Sequence, residues 1–434
     1  MNSKKTRRIL VSGEYVLCGP GERIISQGAV AVEDGRIKEV GVYEDIRQKY
    51  KDFSELRRPS GLVMPGLINA HTHAPMVLFR GMADDLPLKT WLEDHIFPAE
   101  ARLNQDLIAL GTELACAEMI RSGTTGFIDM YLFEETIARV TDRVGMRAWL
   151  GEGIFDFPSP SFPSGQDALR ETERLSKAWE GNPRITITVD PHTPYTCNQA
   201  LLEDARELAS SLDLHLVIHL AETRWEIEEI TRIHGCSPVE YLDSLGLLSP
   251  RLLAVHCVWL SERDMDILSE RGVSIAHCPE SNLKLGSGIA PVARLLKKNV
   301  RVALGTDGAA SNNDLDMFGE MDTAAKLPKG LLQNPSVVSA AQVLSMATVD
   351  AALAMGRTDL GRLSPGYQAD IIILDLDRPT LRPCYNCISQ VVYAAKGGDV
   401  TDVMVGGDML MIDGKLVTID EKRLLAEVKA WRKA

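Results

Sequence analysis

The 434-residue sequence predicts an α/β protein built on a (β/α)8 barrel of the TIM type, with β-structure at both chain ends. Two observations predict this fold. Short apolar segments alternate with longer helical stretches across roughly three hundred residues, the arrangement of a parallel barrel wrapped by helices. The segments on either side of this region carry short strands and tight turns instead.

Eight apolar runs are the predicted barrel strands, and their near-continuous hydrophobicity is typical of parallel strands buried on both faces. In chain order they are Gly66–Ala70, Gly126–Met130, Arg147–Gly151, Arg184–Val189, Leu214–His219, Leu252–His256, Val273–His277 and Arg301–Leu304. Helical stretches such as Asn104–Ser122 and Ala200–Ser211 lie between them and would form the outer ring.

Both chain ends carry hairpin signals. Gly28–Val32 and Arg36–Val40 flank the turn at Asp34–Gly35, a dipeptide that favours two-residue hairpin loops. The other end shows the same pattern of short apolar runs and glycine turns, in Gln368–Leu374 and Val400–Met411. Each end therefore predicts β-strands outside the barrel.

Composition and charge exclude several classes of function. The net charge of −13 argues against nucleic acid as a partner, because phosphate binding needs clustered Lys and Arg. No apolar stretch is long enough for a signal peptide or a membrane span. Eight scattered cysteines predict free thiols in a reducing compartment. We therefore expect a cytoplasmic protein that binds no membrane; whether it forms a homo-oligomer is left open.

The histidines are concentrated at strand ends. The chain has nine, and five of the eight predicted strands end in, or just before, a histidine. Active sites of such barrels form at the carboxyl ends of the strands. His95, His215 and His234 lack that placement and are interpreted as structural or solvated.

Three of the strand ends together predict a metal site. His71 and His73 end the first strand, and alternate residues of an extended chain point the same way. His219 ends the fifth strand, and Asp307 follows the eighth. Three imidazoles and one carboxylate suit a divalent ion. The sequence therefore predicts one metal ion per subunit, Zn²⁺ first, with Fe²⁺ and Mn²⁺ as alternatives.

Acidic residues near these histidines predict proton transfer. Glu222 lies just past the fifth strand, where it is placed to carry a proton between water and substrate. A glutamate favoured by the helix dipole is the alternative. Asp307, with His256, is placed to act on a water whose pKa a metal lowers to about 7. The acidic residues that follow, up to Glu229, predict a solvated helix face.

Several motifs resemble the amidohydrolase superfamily, and the resemblance covers nearly the whole chain. They are Pro65–His73, His219–Glu222, Ala254–Cys257 and Leu304–Gly308. Two further stretches, Phe79–Glu100 and Ser281–Val292, resemble one subgroup, the 5′-methylthioadenosine/S-adenosylhomocysteine deaminases. The resemblance implies hydrolytic deamination of an adenosine-type nucleoside: methylthioadenosine, S-adenosylhomocysteine, 5′-deoxyadenosine or adenosine.

The resemblance also implies roles for the strand-end residues. The implied zinc ligands are His71, His73, His219 and Asp307. Glu222 matches the acid that protonates the purine ring nitrogen, and Asp307 matches the acceptor of the water's proton. His256 matches the residue that orients the nucleophile.

Further implied features concern substrate binding and domains. Glu100 and His192 match substrate contacts, with Glu100 at the ribose hydroxyls; Glu222 and Asp307 contact the base. The family's small β-sandwich domain matches residues 1–64 together with 366–434, and the hydrolase barrel matches residues 65–365.

Two departures from the wider family bear on the number of metals and on the substrate. Two-metal relatives carry a modified lysine at the end of strand four, whereas Ile185–Asp190 has none, which fits a single metal. Members that bind S-adenosylhomocysteine often carry an arginine just past strand three, where Glu152 stands. Arg147, Arg170 and Arg174 are candidates to replace it, so the 5′ substituent stays open.

Three alternatives are weighed against the deaminase. Another enzyme on this scaffold, such as a guanine or other free-base deaminase or a triazine hydrolase, has no use for a ribose contact at Glu100. A metal-free binding protein would lack the ligand set. The P-C-x-x-C at Pro383–Cys387 is used by cytidine deaminases together with an H-x-E, which this sequence lacks; Cys384 and Cys387 are therefore interpreted as structural.

Overall fold

The computed structural model describes residues 7–86 and 90–432. Within them the chain forms the strands β1 (Arg8–Leu17), β2 (Ile24–Glu33), β3 (Arg36–Val42), β4 (Ser54–Pro65), β5 (Leu67–Thr72), β6 (Thr124–Tyr131), β7 (Arg147–Ile154), β8 (Ile185–Ile187), β9 (Asp190–Pro191), β10 (Leu216–Leu220), β11 (Leu252–His256), β12 (Ser274–His277), β13 (Arg301–Leu304), β14 (Ile371–Asp375), β15 (Val400–Val405), β16 (Asp408–Ile412) and β17 (Lys415–Leu416).

Helices connect most of these strands. A π-helical turn spans Trp91–Ile96, and short 3-10 helices span Ala74–Phe79 and Gly397–Asp399. The α-helices are Tyr43–Lys49, Phe97–Glu100, Gln105–Arg121, Glu134–Val144, Gly165–Ala178, Gln199–Leu212, Arg224–His234, Pro238–Ser244, Glu262–Arg271, Pro279–Lys284, Val292–Lys297, Met317–Leu332, Ala340–Met346, Val349–Ala354, Cys387–Tyr393 and Glu421–Trp431. Of the helices at 7–86 and 90–432, none has both the length and the apolar character needed to span a bilayer.

Eight parallel strands form the barrel in chain order. β5, β6, β7 and β8 are neighbours in one run, and β10, β11, β12 and β13 in another. A bridge between Val189 and Leu216 joins the two runs. On the other side, the backbone N–H of Asp307 donates to the carbonyl of His71 at 2.9 Å. Every predicted strand is present, and the predicted barrel is confirmed.

The barrel interior is filled by side chains from alternate positions of the strands. This buried cluster includes Ile68, Ala70, Ile128, Met130, Trp149, Val217, Leu253, Val255, Ala276 and Ala303. The helix Val349–Ala354 contributes Ala351, Ala352 and Ala354 to the same cluster. Because the interior is packed with apolar groups, it is a core rather than a channel. Polar chemistry is left to the strand ends.

The two chain ends meet in one eight-stranded sheet. Its order is β17-β16-β15-β14-β4-β1-β2-β3, so strands from the C-terminal segment continue the N-terminal sheet. β4 pairs parallel with β1 and antiparallel with β14. The predicted hairpin is confirmed: Asp34 and Gly35, with φ of 49° and 80°, turn β2 into β3. The predicted fold class is therefore confirmed.

A buried ion pair joins the barrel to this sheet. The Arg147 guanidinium, at the start of β7, donates to both carboxylate oxygens of Asp370 at 2.9 and 3.1 Å. The backbone N–H of Gly406 also donates to Asp370, at 2.7 Å. The domain boundaries predicted at 64/65 and 365/366 stay a prediction, which this sheet membership supports.

Candidate active site and metal centre

One cavity opens at the carboxyl ends of the barrel strands and gathers the predicted site residues. Seven of the eight line it: His73, Glu100, His192, His219, Glu222, His256 and Asp307. The eighth, His71, is fully buried beside His219. Sequence positions spread over more than two hundred residues are thus brought together in the fold.

The metal-capable atoms converge at the floor of the cavity. His71 Nε2 lies 3.1 Å from His219 Nε2 and 3.6 Å from Asp307 Oδ1. His73 Nε2 lies 3.3 Å from that same oxygen. Ligands bonded to zinc at about 2.0–2.2 Å with tetrahedral angles are about 3.3–3.6 Å apart. Two of the three distances fall within this range, and the His71–His219 distance is slightly shorter. The ligand atoms of His71, His73 and His219 lie within 4.8 Å of one another, as do those of His71, His256 and Asp307.

Backbone carbonyls fix the orientation of two of these rings. His219 Nδ1 donates to the carbonyl of His192 at 2.9 Å, and His73 Nδ1 donates to the carbonyl of Met130. A carbonyl only accepts, so each Nδ1 carries a hydrogen and Nε2 is the nitrogen that faces the metal site. Burial lowers the pKa of His71 and of His219 well below its usual value. The rings of His71 and His219 are therefore neutral, as a metal ligand must be.

Asp307 is the anionic member of this group. Burial opposes its charge, but the contact with His73 and the attraction of the other imidazoles outweigh burial and hold its pKa well below the usual range. The same contact overcomes burial at His73 and raises the pKa of that imidazole to about 9. Without a cation, a proton held between His73 and Asp307 balances the negative charge of the carboxylate. A divalent ion fits where that proton is held, so these residues suit a metal.

Hydrogen bonds hold the Asp307 carboxylate in place. Ser281 and Ser311 donate to Oδ2 at 2.6 and 2.8 Å, and the backbone N–H of Gly308 donates to Oδ1 at 2.8 Å. Donors that bind the ionised form stabilise it. The carboxylate is therefore fixed before any substrate enters.

Glu222 and His256 face each other across the cavity. The Ser287 hydroxyl donates to Glu222 Oε1 at 3.1 Å, and Glu222 Oε2 lies 3.9 Å from His256 Nε2. His256 Nδ1 donates to Asn282 Oδ1 at 2.9 Å. Its Nε2 therefore faces the cavity as an acceptor. Both side chains are placed to act on groups bound above the metal site.

Three strand ends leave the barrel through left-handed backbone. Ala221, His256 and Asp307 have φ of 52°, 70° and 63°. Non-glycine residues adopt this region rarely, and such residues cluster at functional sites. The conformation turns the chain sharply, so that side chains at and after the strand end point into the cavity.

Glu226 is buried, which differs from the prediction made from the sequence. The acidic residues after Glu222 were expected to form a solvated helix face, but Glu226 is buried. It accepts from the backbone N–H of Ala221 at 2.7 Å and of Glu222 at 2.9 Å. Burial raises its pKa to about 8. Glu226 thus supports the turn that presents Glu222.

The predicted substrate contacts lie on the opposite wall. Glu100 Oε1 accepts from the Tyr131 hydroxyl at 2.8 Å, and burial raises the pKa of Glu100 to about 7. His192 Nδ1 pairs with the Thr196 hydroxyl at 2.9 Å, and burial lowers the pKa of His192 to about 3. A carboxyl group and a neutral imidazole therefore face the same space as Glu222.

Glu152 does not line the cavity, although it occupies the position where an arginine was expected. Its carboxylate accepts from the backbone N–H of Phe133 at 3.2 Å and of Glu134 at 2.9 Å. It is buried, which raises its pKa to about 7. Glu152 therefore supports the loop before the helix Glu134–Val144, and its side chain is not part of the cavity wall.

The three arginines considered as substitutes do not reach the cavity either. Arg147 pairs with Asp370 at the start of β7, at the opposite end of the barrel. Arg170 and Arg174 lie on the helix Gly165–Ala178 and pair with carboxylates there. A cation for a charged substituent must come from elsewhere.

Sequence reasoning missed several supporting residues. Ser281, Asn282 and Ser287 lie within the stretch that resembled the deaminase subgroup, so the motif itself was their signal. Tyr131 ends β6, and its position at a strand's carboxyl end was the available clue. Of the described residues that line the cavity, none is a lysine, in keeping with the single metal expected.

The chain is similar to known proteins over nearly its full length. A model of the Amidohydrolase family matches residues 62–410, and a model of the bacterial imidazolonepropionase-like composite domain matches residues 28–50. The chain is 48% identical to a 5-methylthioadenosine/S-adenosylhomocysteine deaminase of Syntrophobacter fumaroxidans, over 99% of this chain and 98% of the relative.

Two further similarities cover almost the full length. The chain is 46% identical to a 5′-deoxyadenosine deaminase of Methanothermobacter thermautotrophicus, over 97% of each protein. The crystal structure of an adenosine deaminase from Xanthomonas campestris with bound zinc is 40% identical and matches with a TM-score of 0.96 over 98% of each chain.

Proposed function

This chain belongs to the amidohydrolase family, and from that we propose that its cavity deaminates adenosine-type nucleosides, replacing the 6-amino group by oxygen and releasing ammonia. It is a metal-dependent aminohydrolase. One observation carries the substrate proposal: three of the four ligand side chains line the same cavity as the proton donor Glu222 and the carboxyl of Glu100, and the fourth, His71, is buried beside His219. The names of the relatives, which are nucleoside deaminases, support it.

The four ligand side chains would hold one divalent cation, Zn²⁺ in our proposal, with Fe²⁺ or Mn²⁺ as alternatives. The nitrogen and oxygen donors support zinc, as does the zinc in the structure of the Xanthomonas relative. When bound, such a cation supplies Lewis acidity and lowers the pKa of a water to about 7. His71, His73 and His219 are neutral donors to it, and Asp307 balances part of its charge.

Proton movements follow from the positions of Asp307, Glu222 and His256. Asp307 accepts a proton from the attacking water, whose remaining hydrogen His256 Nε2 orients. As the oxygen bonds to C6, Glu222 donates its proton to the ring nitrogen N1. Asp307 then passes its proton to the amino group while Glu222 takes the proton of the new hydroxyl. The C6–N bond breaks, and the 6-oxopurine and ammonia leave.

Glu100 supplies an acceptor for the ribose hydroxyls in this proposal. The Tyr131 hydroxyl occupies one of its oxygens, and burial raises the pKa of Tyr131, which keeps that hydroxyl a donor. The other oxygen is left for substrate. A free base offers no ribose, so this residue separates nucleosides from free bases.

We expect kcat/KM for a nucleoside to rise with pH up to about 7 and then level off. Glu100 has a pKa of about 7, so below that pH it is protonated and loses its strength as an acceptor. kcat/KM reports groups of the free enzyme. Glu100→Gln should raise KM and remove this acidic limb, whereas Asp94→Asn, an exposed carboxylate nearby, should leave the profile unchanged. An acidic limb that persists in Glu100→Gln would reject the assignment.

The substrate proposal is tested by ammonia release from zinc-reconstituted enzyme at equal substrate concentrations. The panel contains methylthioadenosine, S-adenosylhomocysteine, 5′-deoxyadenosine, adenosine, adenine, guanine and atrazine, with metal content measured in parallel. We expect turnover of the nucleosides and none of the last three compounds. Turnover of free bases or atrazine alone would leave the metal centre standing and remove the nucleoside proposal.

The cellular setting is also a proposal. We infer a reducing, cytoplasmic location, supported by eight cysteines that are all unpaired, including Cys384 and Cys387 with sulfurs 3.7 Å apart. The net charge of −13 supports a small-molecule substrate and argues against nucleic acid.

A further inference from the structure

Two cysteines of the C-terminal segment lie side by side. The Sγ atoms of Cys384 and Cys387 are 3.7 Å apart, close enough for a thiol–thiol hydrogen bond. They belong to the P-C-x-x-C motif at Pro383–Cys387, which the proposed deamination does not use, and neither lines the active-site cavity. The sulfurs of a disulfide are about 2.05 Å apart, so a movement of about 1.7 Å joins this pair.

The two sulfurs differ in exposure. Cys384 is half-buried in a loop whose next residue, Tyr385, is 93% exposed, so a small reagent in solvent can reach it. Cys387 begins the helix Cys387–Tyr393 and is buried. Burial raises the pKa of the Cys387 thiol to about 12, and the neighbouring sulfur of Cys384 adds to the rise. Cys384 is therefore the thiol that meets an oxidant first.

Hydrogen bonds on either side fix the loop that carries the pair. Arg382, two residues before Cys384, donates to both carboxylate oxygens of Glu14 on β1, at 2.9 and 2.6 Å. Asn386 Oδ1 accepts from the backbone N–H of Ser389 at 3.0 Å and caps the helix. Groups held next to each other react far faster than groups on separate molecules. The arrangement therefore favours a bond between the two sulfurs.

A metal ion is the alternative ligand for two thiols. Structural zinc takes four protein ligands. In the described part of the chain, groups of three or more metal-capable side chains are found only at the barrel mouth, formed by His71, His73, His219, His256 and Asp307. Two sulfurs without further protein ligands suit a bond to each other better than a zinc site.

We propose that Cys384 and Cys387 form a site of reversible oxidation, in which a low-molecular-weight disulfide converts the two thiols into an intramolecular disulfide. The Cys384 thiolate attacks one sulfur of the reagent, forms a mixed disulfide and releases a thiolate, which takes up a proton. The capped sulfur no longer raises the pKa of Cys387. Cys387 then gives its proton to water, attacks the Cys384 sulfur and releases the second small thiolate, which is protonated in turn. The protein loses two electrons and two protons, and the reagent becomes two thiols.

Equilibration of the full-length, zinc-loaded enzyme with oxidised glutathione tests the pair. Samples are quenched with acid, unfolded, alkylated and digested, and the cysteine peptides are read by mass spectrometry. We expect Cys384 and Cys387 to be joined, with the mass lowered by two hydrogens and no glutathione attached. Dithiothreitol should restore all eight thiols.

Three variants separate proximity from exposure. Cys387→Ser should trap glutathione on Cys384, because the second sulfur is missing. Cys384→Ser, a change at a half-exposed site, should leave Cys387 reduced. Cys236 is half-buried like Cys384 and is the matched control: in the wild type it should carry glutathione at most, and Cys236→Ser should leave the Cys384–Cys387 disulfide unchanged.

These readouts do not depend on which nucleoside the enzyme deaminates, so the inference and the proposed function can fail separately. An intramolecular disulfide that both Cys384→Ser and Cys387→Ser abolish supports the inference. Glutathione that stays on Cys384 of the wild type overturns it, as does a pair that remains reduced while Cys236 reacts. A second zinc ion per subunit that Cys384→Ser removes would also overturn it, in favour of a metal site.

Discussion

Glu222→Gln is expected to lower kcat for nucleoside deamination by about 10²–10⁴-fold, the usual contribution of a positioned proton donor. The amide keeps the size of the carboxyl group and can still meet the Ser287 hydroxyl, which lies 3.1 Å from Glu222 Oε1. It cannot transfer a proton to the ring nitrogen or take one back. The loss should therefore appear in kcat, with the fold and the metal centre preserved.

The measurement is steady-state kcat from the ultraviolet change between adenosine and inosine chromophores. Metal content per subunit should equal that of the wild type, because Glu222 is not in the ligand set. Glu228→Gln, an exposed glutamate on the following helix, is the matched control and should retain full activity. A Glu222→Gln enzyme with kcat near the wild-type value would remove Glu222 from the chemistry.

Asp307→Asn is expected to lower kcat by about 10³-fold or more, since proton transfer alone contributes about 10²–10⁴-fold and a metal ligand is weakened as well. An amide neither accepts the water's proton nor balances the cation's charge. Metal affinity should fall along with kcat, which distinguishes this variant from Glu222→Gln. Asp266→Asn, an exposed acid paired with Lys298, should change neither quantity.

A second readout of Asp307→Asn does not depend on activity. The contact with Asp307 is what overcomes burial and raises the pKa of His73 to about 9. Without the carboxylate, burial dominates, and the pKa of His73 should fall below its ordinary value. Proton NMR titration of the metal-free wild type and variant measures the shift directly. An unchanged His73 titration would contradict the pairing of His73 with Asp307.

Much of the barrel and its site could be predicted because both depend on short segments of sequence. The strand β11 (Leu252–His256) is apolar up to its last residue, which identifies a buried parallel strand. The polar residue that ends it then lies at the mouth by topology alone. For this reason His71, His219, His256 and Asp307 could be placed without coordinates.

The features that could not be predicted depend on the direction in which single side chains point. Gly153, near the end of β7, borders the cavity. Phe155, one residue past the end of this strand, borders it as well. Glu152 lies one position before Gly153, and successive side chains of a strand point to opposite faces. A residue next to a position that borders the cavity therefore points into the core instead, as Glu152 does.

Contacts between segments that are distant along the chain could not be predicted either. A recess beside the cavity is lined by Trp225, Trp259, Phe157 and loop residues near positions 92–97 and 285–287, which are distant along the chain. The sequence carries no local signal for such a meeting of loops. Burial of Glu226 under the Ala221–Glu222 turn is likewise set by the fold around it and not by the pattern of its own helix.

The pairing of β4 with β14 has a consequence for how the protein is made. About 300 residues separate Pro65 from its partner Ile371. At roughly 5–20 residues per second, a ribosome needs roughly 15–60 s to deliver that partner. Throughout that interval the nascent chain exposes one edge of β4, rich in Leu, Val and Met, and an unpaired apolar edge invites association with other chains. The order of synthesis therefore leaves this edge of β4 without its partner until most of the chain has been made.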